Sequence, residues 1–146
     1  MDEYESKCLA IRKENAAFLD DFAFWLVKGK SLSEATTKRH RENIDFYINE
    51  FLLYEGPKHA LEGVNEVGMF LGYWFIRKAM WANEAAVKSN ATSLTKFYDY
   101  MLERGNVSLE AVEDMKVRIK DELPEWVATM KRYDDPSIDP DDVWQW

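Results

Sequence analysis

Residues 66–102, EVGMFLGYWFIRKAMWANEAAVKSNATSLTKFYDYML, carry the pattern that decides the fold. In the first half, Met69, Phe70, Leu71, Tyr73, Trp74, Phe75 and Ile76 follow one another without alternation. At about 100° per residue they project nearly all round a helix of residues 66–79, which Asn65 can cap. A helix apolar on every side predicts the central, most buried element. Gly68 and Gly72 lie one turn apart on it and predict a strip where another helix approaches closely. The second half starts at Asn83, a good cap, and places Val87, Ala91, Leu94, Tyr98, Met101 and Leu102 on one stripe that ends at Gly105, a left-handed stop. Neither half alternates with period two, so strands are excluded where the chain is most apolar.

Working outward toward the N-terminus, Ser33 precedes a helix of residues 34–54 with Ile44, Ile48, Phe51 and Leu52 on one side, ended by Gly56-Pro57. Phe46 and Leu53 project from the opposite side of this regular helix, which predicts either burial between two neighbours or half of an interface. Ahead of it, Cys8, Ile11, Phe18, Leu19, Phe22, Trp25 and Leu26 repeat at helical spacing, so residues 3–28 form one amphipathic helix stopped at Gly29. Toward the C-terminus, Ser108 caps a helix of residues 109–122. Pro124 predicts a break before a short sixth helix that starts at Glu125-Trp126-Val127. The expected fold is all-α, a compact bundle of five to six helices in one domain, residues 1–133, followed by an acidic tail with two Trp, residues 134–146.

Composition sets bounds on function. The 146 residues are 47% hydrophobic, with six Trp, seven Tyr and eight Phe, which suffices for a core without staples. The apolar stretch Val67–Ile76 is far shorter than the roughly 20 residues of a membrane span. One cysteine, Cys8, and an acidic N-terminus without an apolar signal run predict a cytoplasmic setting and no membrane partner. The formal charge is −8, and acid gathers at the end: residues 101–146 carry 6 Lys/Arg against 12 Asp/Glu. Strong non-specific binding of nucleic acid demands the opposite balance.

Chemistry-bearing constellations are missing from the pattern. His40 and His59 stand nineteen positions apart with no ligand spacing around them, so no metal site and no cofactor are expected. His40 falls near the core stripe of its helix and reads as a packed, hydrogen-bonded histidine. Asp134, Asp135, Asp139, Asp141 and Asp142 crowd the tail without the spacing of a calcium loop. There is no glycine-rich phosphate loop and no nucleophile elbow, which predicts neither an enzyme nor a small-molecule substrate. Two basic patches remain. Lys38, Arg39, His40 and Arg41 open the second helix, while Lys88, Ser89, Thr92 and Lys96 line the outward side of the fourth. Cations and small hydroxyls near helix N-terminal halves are what phosphate contacts require.

The runs LSEATTKRHRENIDFYINEFL (residues 32–52) and EVGMFLGYWFIRKAMWANEAAVKSNATSLTKFYDYML resemble the N-terminal core-binding domain of phage integrases and other tyrosine recombinases, a small helical bundle often called SAM-like. The likeness rests on Leu32, Ser33 and Thr36 at a helix start and on Phe46-Tyr47 followed by Phe51-Leu52. It continues in Val87-Lys88-Ser89 leading to Leu94, Lys96, Phe97 and Tyr98, and covers residues 15–105. In that family the domain clamps DNA with the start of its second helix and with its fourth. The resemblance therefore implies double-stranded DNA as partner and Lys38, Arg41, Lys88, Ser89, Thr92 and Lys96 as its contacts. The Arg, His-x-x-Arg and Tyr of the recombinase catalytic half have no counterpart in this sequence, which predicts a free-standing, non-catalytic, recombination-accessory module. The alternative is a protein-interaction or self-association domain anchored by Phe46, Leu53, Trp81, Trp144 and Trp146, because aromatic side chains dominate interface energetics. A third arrangement joins the two: the acidic tail lies over the basic patch and competes with DNA.

Overall fold

Four capped helix starts set the frame. Asp2, Ser33, Asn83 and Ser108 each accept a hydrogen bond from the backbone N–H three residues on, at 2.7, 3.2, 2.7 and 3.1 Å. A computed structural model describes residues 2–54, 56–79, 81–135, 137 and 143. Helix α1 (Glu3–Phe24) runs on into a π-helical turn, Trp25–Gly29. Helix α2 (Glu34–Phe46) continues into a second π turn, Tyr47–Phe51. A 3-10 helix (Ala60–Asn65) leads into a helical rod made of α3 (Val67–Met69), a third π turn (Phe70–Trp74) and α4 (Phe75–Lys78). Helices α5 (Glu84–Glu103) and α6 (Leu109–Asp134) complete the bundle. Gly105, with φ +77°, supplies the left-handed stop after α5. The molecule is all-helical, as the periodicity predicts.

Burial follows the stripes. α5 packs on α2 and on α6, and α2 packs on α1. Phe22 meets Phe97 edge-on at 5.2 Å and Tyr100 at 5.6 Å, which locks α1 to α5. A second aromatic cluster joins α2 to the rod: Tyr47 and Phe51 lie 4.8 and 5.0 Å from Phe70, and Phe46 lies 6.2 Å from Phe75. The Tyr98 hydroxyl, fully buried, donates to the Ala60 carbonyl at 2.7 Å, and the Tyr47 hydroxyl donates to the Gly63 carbonyl. Two core tyrosines thus pin the 3-10 helix, and burial pushes both phenols well above their ordinary range. Gly68 and Gly72 admit α6 as their spacing predicts. A Cβ on Gly68 would stand 2.1 Å from the Arg118 guanidinium, and one on Gly72 would stand 2.8 Å from Trp126 Nε1.

Four expectations are corrected. There is no break at Pro124: α6 is one helix with the proline inside it. Its buried stripe, Val112, Met115, Ile119, Trp126, Val127 and Met130, stays in register across the proline, and Pro124 itself faces solvent, so the unpaired Lys120 carbonyl lies on the wet side. Asn65 does not cap the rod but ends the 3-10 helix, whose start is fixed by Glu62 accepting from the His59 N–H at 3.0 Å. The rod is not buried all round, since Met69 and Tyr73 are 55% and 42% exposed. Leu53 does not project outward: it is 2% exposed. The π turn Tyr47–Phe51, closed by the Leu52 N–H on the Tyr47 carbonyl at 3.0 Å, inserts one residue and rotates everything after it, so Leu52 and Leu53 both enter the interior.

Candidate interaction cleft and basic edge

Packing of α2 on α5 decides the fate of the predicted phosphate contacts. Asn43 Nδ2 donates to Ser89 Oγ at 3.1 Å and to Ser93 Oγ at 2.9 Å, and His40 Nδ1 shares a 2.7 Å hydrogen bond with Ser93 Oγ. His40 is buried, and its imidazole is held below its ordinary range by desolvation first and then by Arg39 and Lys96 nearby. The two basic patches of the sequence therefore adjoin along one edge. Most of their cations are already engaged. Arg41 turns to α1, pairs with Asp20 at 2.7 Å and donates to the Leu19 carbonyl at 3.1 Å. Lys38 lies 3.9 Å from Glu42, and Lys88 lies 3.1 Å from Glu84. Thr92 Oγ1 donates back to the Lys88 carbonyl at 3.2 Å. Arg39 and the half-buried Lys96 are the members of this edge with no carboxylate partner among the described residues. Further along α5, Asp99 pairs with Lys116 of α6 at 2.6 Å.

The predicted aromatic anchors separate into two groups. Phe46 is half-buried and spends its ring on Phe70, Trp74, Phe75 and Trp81, and Leu53 is interior. Trp81 is 57% exposed and meets Phe46 edge-on at 4.9 Å. Trp144 and Trp146 lie outside the described residues, as do Asp139, Asp141 and Asp142.

Sequence reasoning missed the site that the three segments build together. A cleft of about 470 Å³ opens between the end of α2, the stretch before the 3-10 helix and the rod. Its apolar wall is Phe51, Tyr54, Met69, Tyr73 and Trp74, and its polar rim is Lys58, Glu66, Arg77 and Lys78. Tyr54 is 51% exposed, so with Met69 and Tyr73 it leaves a contiguous wettable apolar surface. Trp74 stands edge-on to Phe51 at 5.2 Å and to Tyr54 at 5.7 Å, which fixes its ring. Its Nε1–H is buried and has no hydrogen-bond partner among the described residues. Lys78 Nζ lies 5.5 Å over the Tyr54 ring, and the Arg77 guanidinium lies 5.4 Å over Tyr73, whose hydroxyl it meets at 3.1 Å. Lys58 Nζ holds Glu66 at 3.0 Å. The signal available beforehand was Arg77-Lys78 directly after the aromatic run, with Tyr73 one turn before Arg77. It is legible only once the π turn has set which side of the rod is open.

Among the described residues no three His, Cys, Asp or Glu side chains converge as metal ligands, and no helix is long and apolar enough to cross a membrane. What the cleft offers is a rigid aromatic floor with hydrogen-bond donors and positive charge at its rim, an arrangement suited to binding. No protein-family model matches this chain, and neither does any curated protein or solved structure.

Proposed function

We propose that the protein is a non-catalytic interaction module whose working surface is the cleft at Tyr54, Met69, Tyr73 and Trp74. The observation that carries this reading is the conjunction of exposed, rigidly held aromatic rings with Lys58, Arg77 and Lys78 in one half-open depression. Tyr, Trp and Arg are the side chains that dominate interface energetics, and rings fixed by their neighbours lose little entropy when a partner covers them. Trp81, exposed and edge-on to Phe46, extends the apolar surface. The test is selection of a random-peptide display library on the immobilised chain, counter-screened on Met69→Asp and Trp81→Ala. Enriched peptides are expected to weaken by about tenfold on Met69→Asp, a loss equal to one well-buried apolar contact. If nothing enriches above the blank support, or the enriched peptides bind Met69→Asp unchanged, the cleft is not the working surface.

A second reading keeps duplex DNA as the partner, in the manner of the core-binding domain that residues 15–105 resemble. The observation favouring it is that α2 and α5 pack with Arg39 and Lys96 on one edge, flanked by Ser89 and Thr92, with no neutralising carboxylate for either cation among the described residues. Lys38 and Lys88, whose i,i+4 pairs are exposed and weak, can join them, whereas Arg41 is committed to Asp20. Titrating labelled duplex at about 50 and about 200 mM salt tests it. Binding at low salt, with a salt slope reduced by about 2 in an Arg39→Glu, Lys96→Glu double variant, supports this reading. Absence of binding at low salt removes it.

A further inference from the structure

The chemistry of the cleft points beyond an unspecified partner. We infer that it receives an acidic linear peptide, seating one aromatic or large aliphatic side chain against Tyr54, Met69 and Tyr73 and laying flanking carboxylates on Lys78, Arg77 and Lys58. This inference rests on the reading of the cleft as the interaction surface. Among the described residues three cations and one carboxylate line the rim, and that carboxylate, Glu66, already lies 3.0 Å from Lys58. The local sign is thus positive on a chain whose formal charge is −8. At physiological ionic strength charges farther than about 8 Å are screened, so a ligand in the cleft feels these neighbours more than the distant acid. Cations seated over rings keep their charge while the ring stiffens them, and a carboxylate approaching from the open side completes the contact without displacing the aromatic one.

Size and pattern select a peptide over a nucleic acid. A single strand needs a track of cations to follow successive phosphates, together with faces for successive bases. Here the cations form one cluster around one depression, and the volume of about 470 Å³ accommodates a single large side chain with its neighbours. Beside Glu66, the described rim presents donors: ammonium groups on Lys58 and Lys78 and a guanidinium on Arg77. An acceptor-rich ligand with one apolar anchor complements such a rim, whereas a neutral apolar ligand does not use its charge. The groove of equal volume between α1 and the end of α2 lacks this bias, since Glu5 and Glu50 there outnumber Arg12, whose guanidinium is bonded to the Asn49 carbonyl at 2.9 Å.

Fluorescence polarisation on the full chain decides the matter with four labelled probes: a twelve-residue peptide with a central Trp among Asp and Glu, the same peptide with Ser and Gln in place of the acids, the acidic peptide with Trp replaced by Ser, and a twelve-nucleotide oligo-dT. The acidic Trp peptide is expected to bind about tenfold tighter than either altered peptide, each exposed ion pair contributing a few-fold. The double variant Lys58→Glu, Lys78→Glu, checked for unchanged helicity, is expected to remove the preference for acid, and charge-preserving Lys78→Arg is expected to keep it. Equal binding of the acidic and neutral Trp peptides overturns the acidic-partner inference and leaves the interaction reading intact. Tighter binding of oligo-dT than of any peptide overturns it in favour of nucleic acid. Binding of no probe overturns it too, with the display selection deciding separately whether the cleft binds peptides at all.

Discussion

At the scale of single residues, His40 ties local chemistry to stability. Its imidazole is buried against Ser93 and kept neutral by desolvation, with Arg39 and Lys96 adding to the effect. A folded-state value below the ordinary one means that, as pH falls, the unfolded chain takes up the proton first. The stabilisation is present above about pH 6.5 and is lost as the pH drops from there toward the folded value. Urea midpoints measured from pH 7.5 downward are expected to fall in that window, and His40→Gln is expected to flatten the fall. The burial of His40 was legible from its place on a helical stripe; its partner was not, because Ser93 lies 53 positions away. Two glycines make a sharper contrast. Gly72 faces Trp126, a ring that is itself buried, so Gly72→Ala is expected to cost about 1–3 kcal/mol by overpacking. Gly68 faces the tip of Arg118, which is exposed and swings aside, so Gly68→Ala is expected to be nearly neutral in the same melting experiment. Spacing alone predicted close approach at both positions and gave no ground for ranking them.

At the scale of elements, the departures from the sequence reading come from residues that regular periodicity misplaces. α6 passes through Pro124 because its apolar stripe continues on both sides and the lost hydrogen bond falls on the solvent side. Pro124→Ala restores the N–H for the Lys120 carbonyl and is expected to raise stability by about 1–3 kcal/mol, read as an increased denaturant midpoint. A decrease would mean that the packing of Trp126 and Met130 depends on the backbone restriction the proline imposes. The three π turns act similarly: each adds a residue to a helix and rotates the faces that follow. After the turn in α2, α1 side chains take up backbone acceptors at its end. Asn15 Nδ2 donates to the Ile48 carbonyl at 3.2 Å, Arg12 donates to that of Asn49, and the Tyr4 hydroxyl donates to that of Leu53. Nothing in a local window marks these insertions, because they are stabilised by partners on another helix.

At the scale of the whole molecule, one carboxylate fastens the first helix to the fifth. Asp21 accepts from the Tyr100 hydroxyl at 2.7 Å and from Arg104 Nε at 3.0 Å. Arg104 first, and Tyr100 second, hold its carboxyl below the usual range. The unfolded chain therefore protonates this group at higher pH than the folded one, so its contribution is intact above about pH 4 and is lost as pH falls through the lower folded value. Asp21→Asn is expected to lower the melting temperature at neutral pH, with the gap to the parent narrowing below about pH 4. The cleft belongs to this scale as well, since Tyr54, Lys58 and the rod come together only when α2 and the rod pack through Phe51, Phe70 and Trp74.

By itself the sequence determined the all-helical class, the caps at Ser33, Asn83 and Ser108 and most of the buried stripes, because caps and helical periodicity act within a few residues of chain. It also located the basic segments of α2 and α5. Tertiary structure alone decided that Arg41 serves Asp20, that Leu53 is interior and that Met69 and Tyr73 are open. Ion pairing depends on which helix arrives opposite, and the direction a side chain faces depends on every inserted residue before it. The proposed working surface is accordingly the part least visible in the chain, for its residues share a depression and not a stretch of sequence.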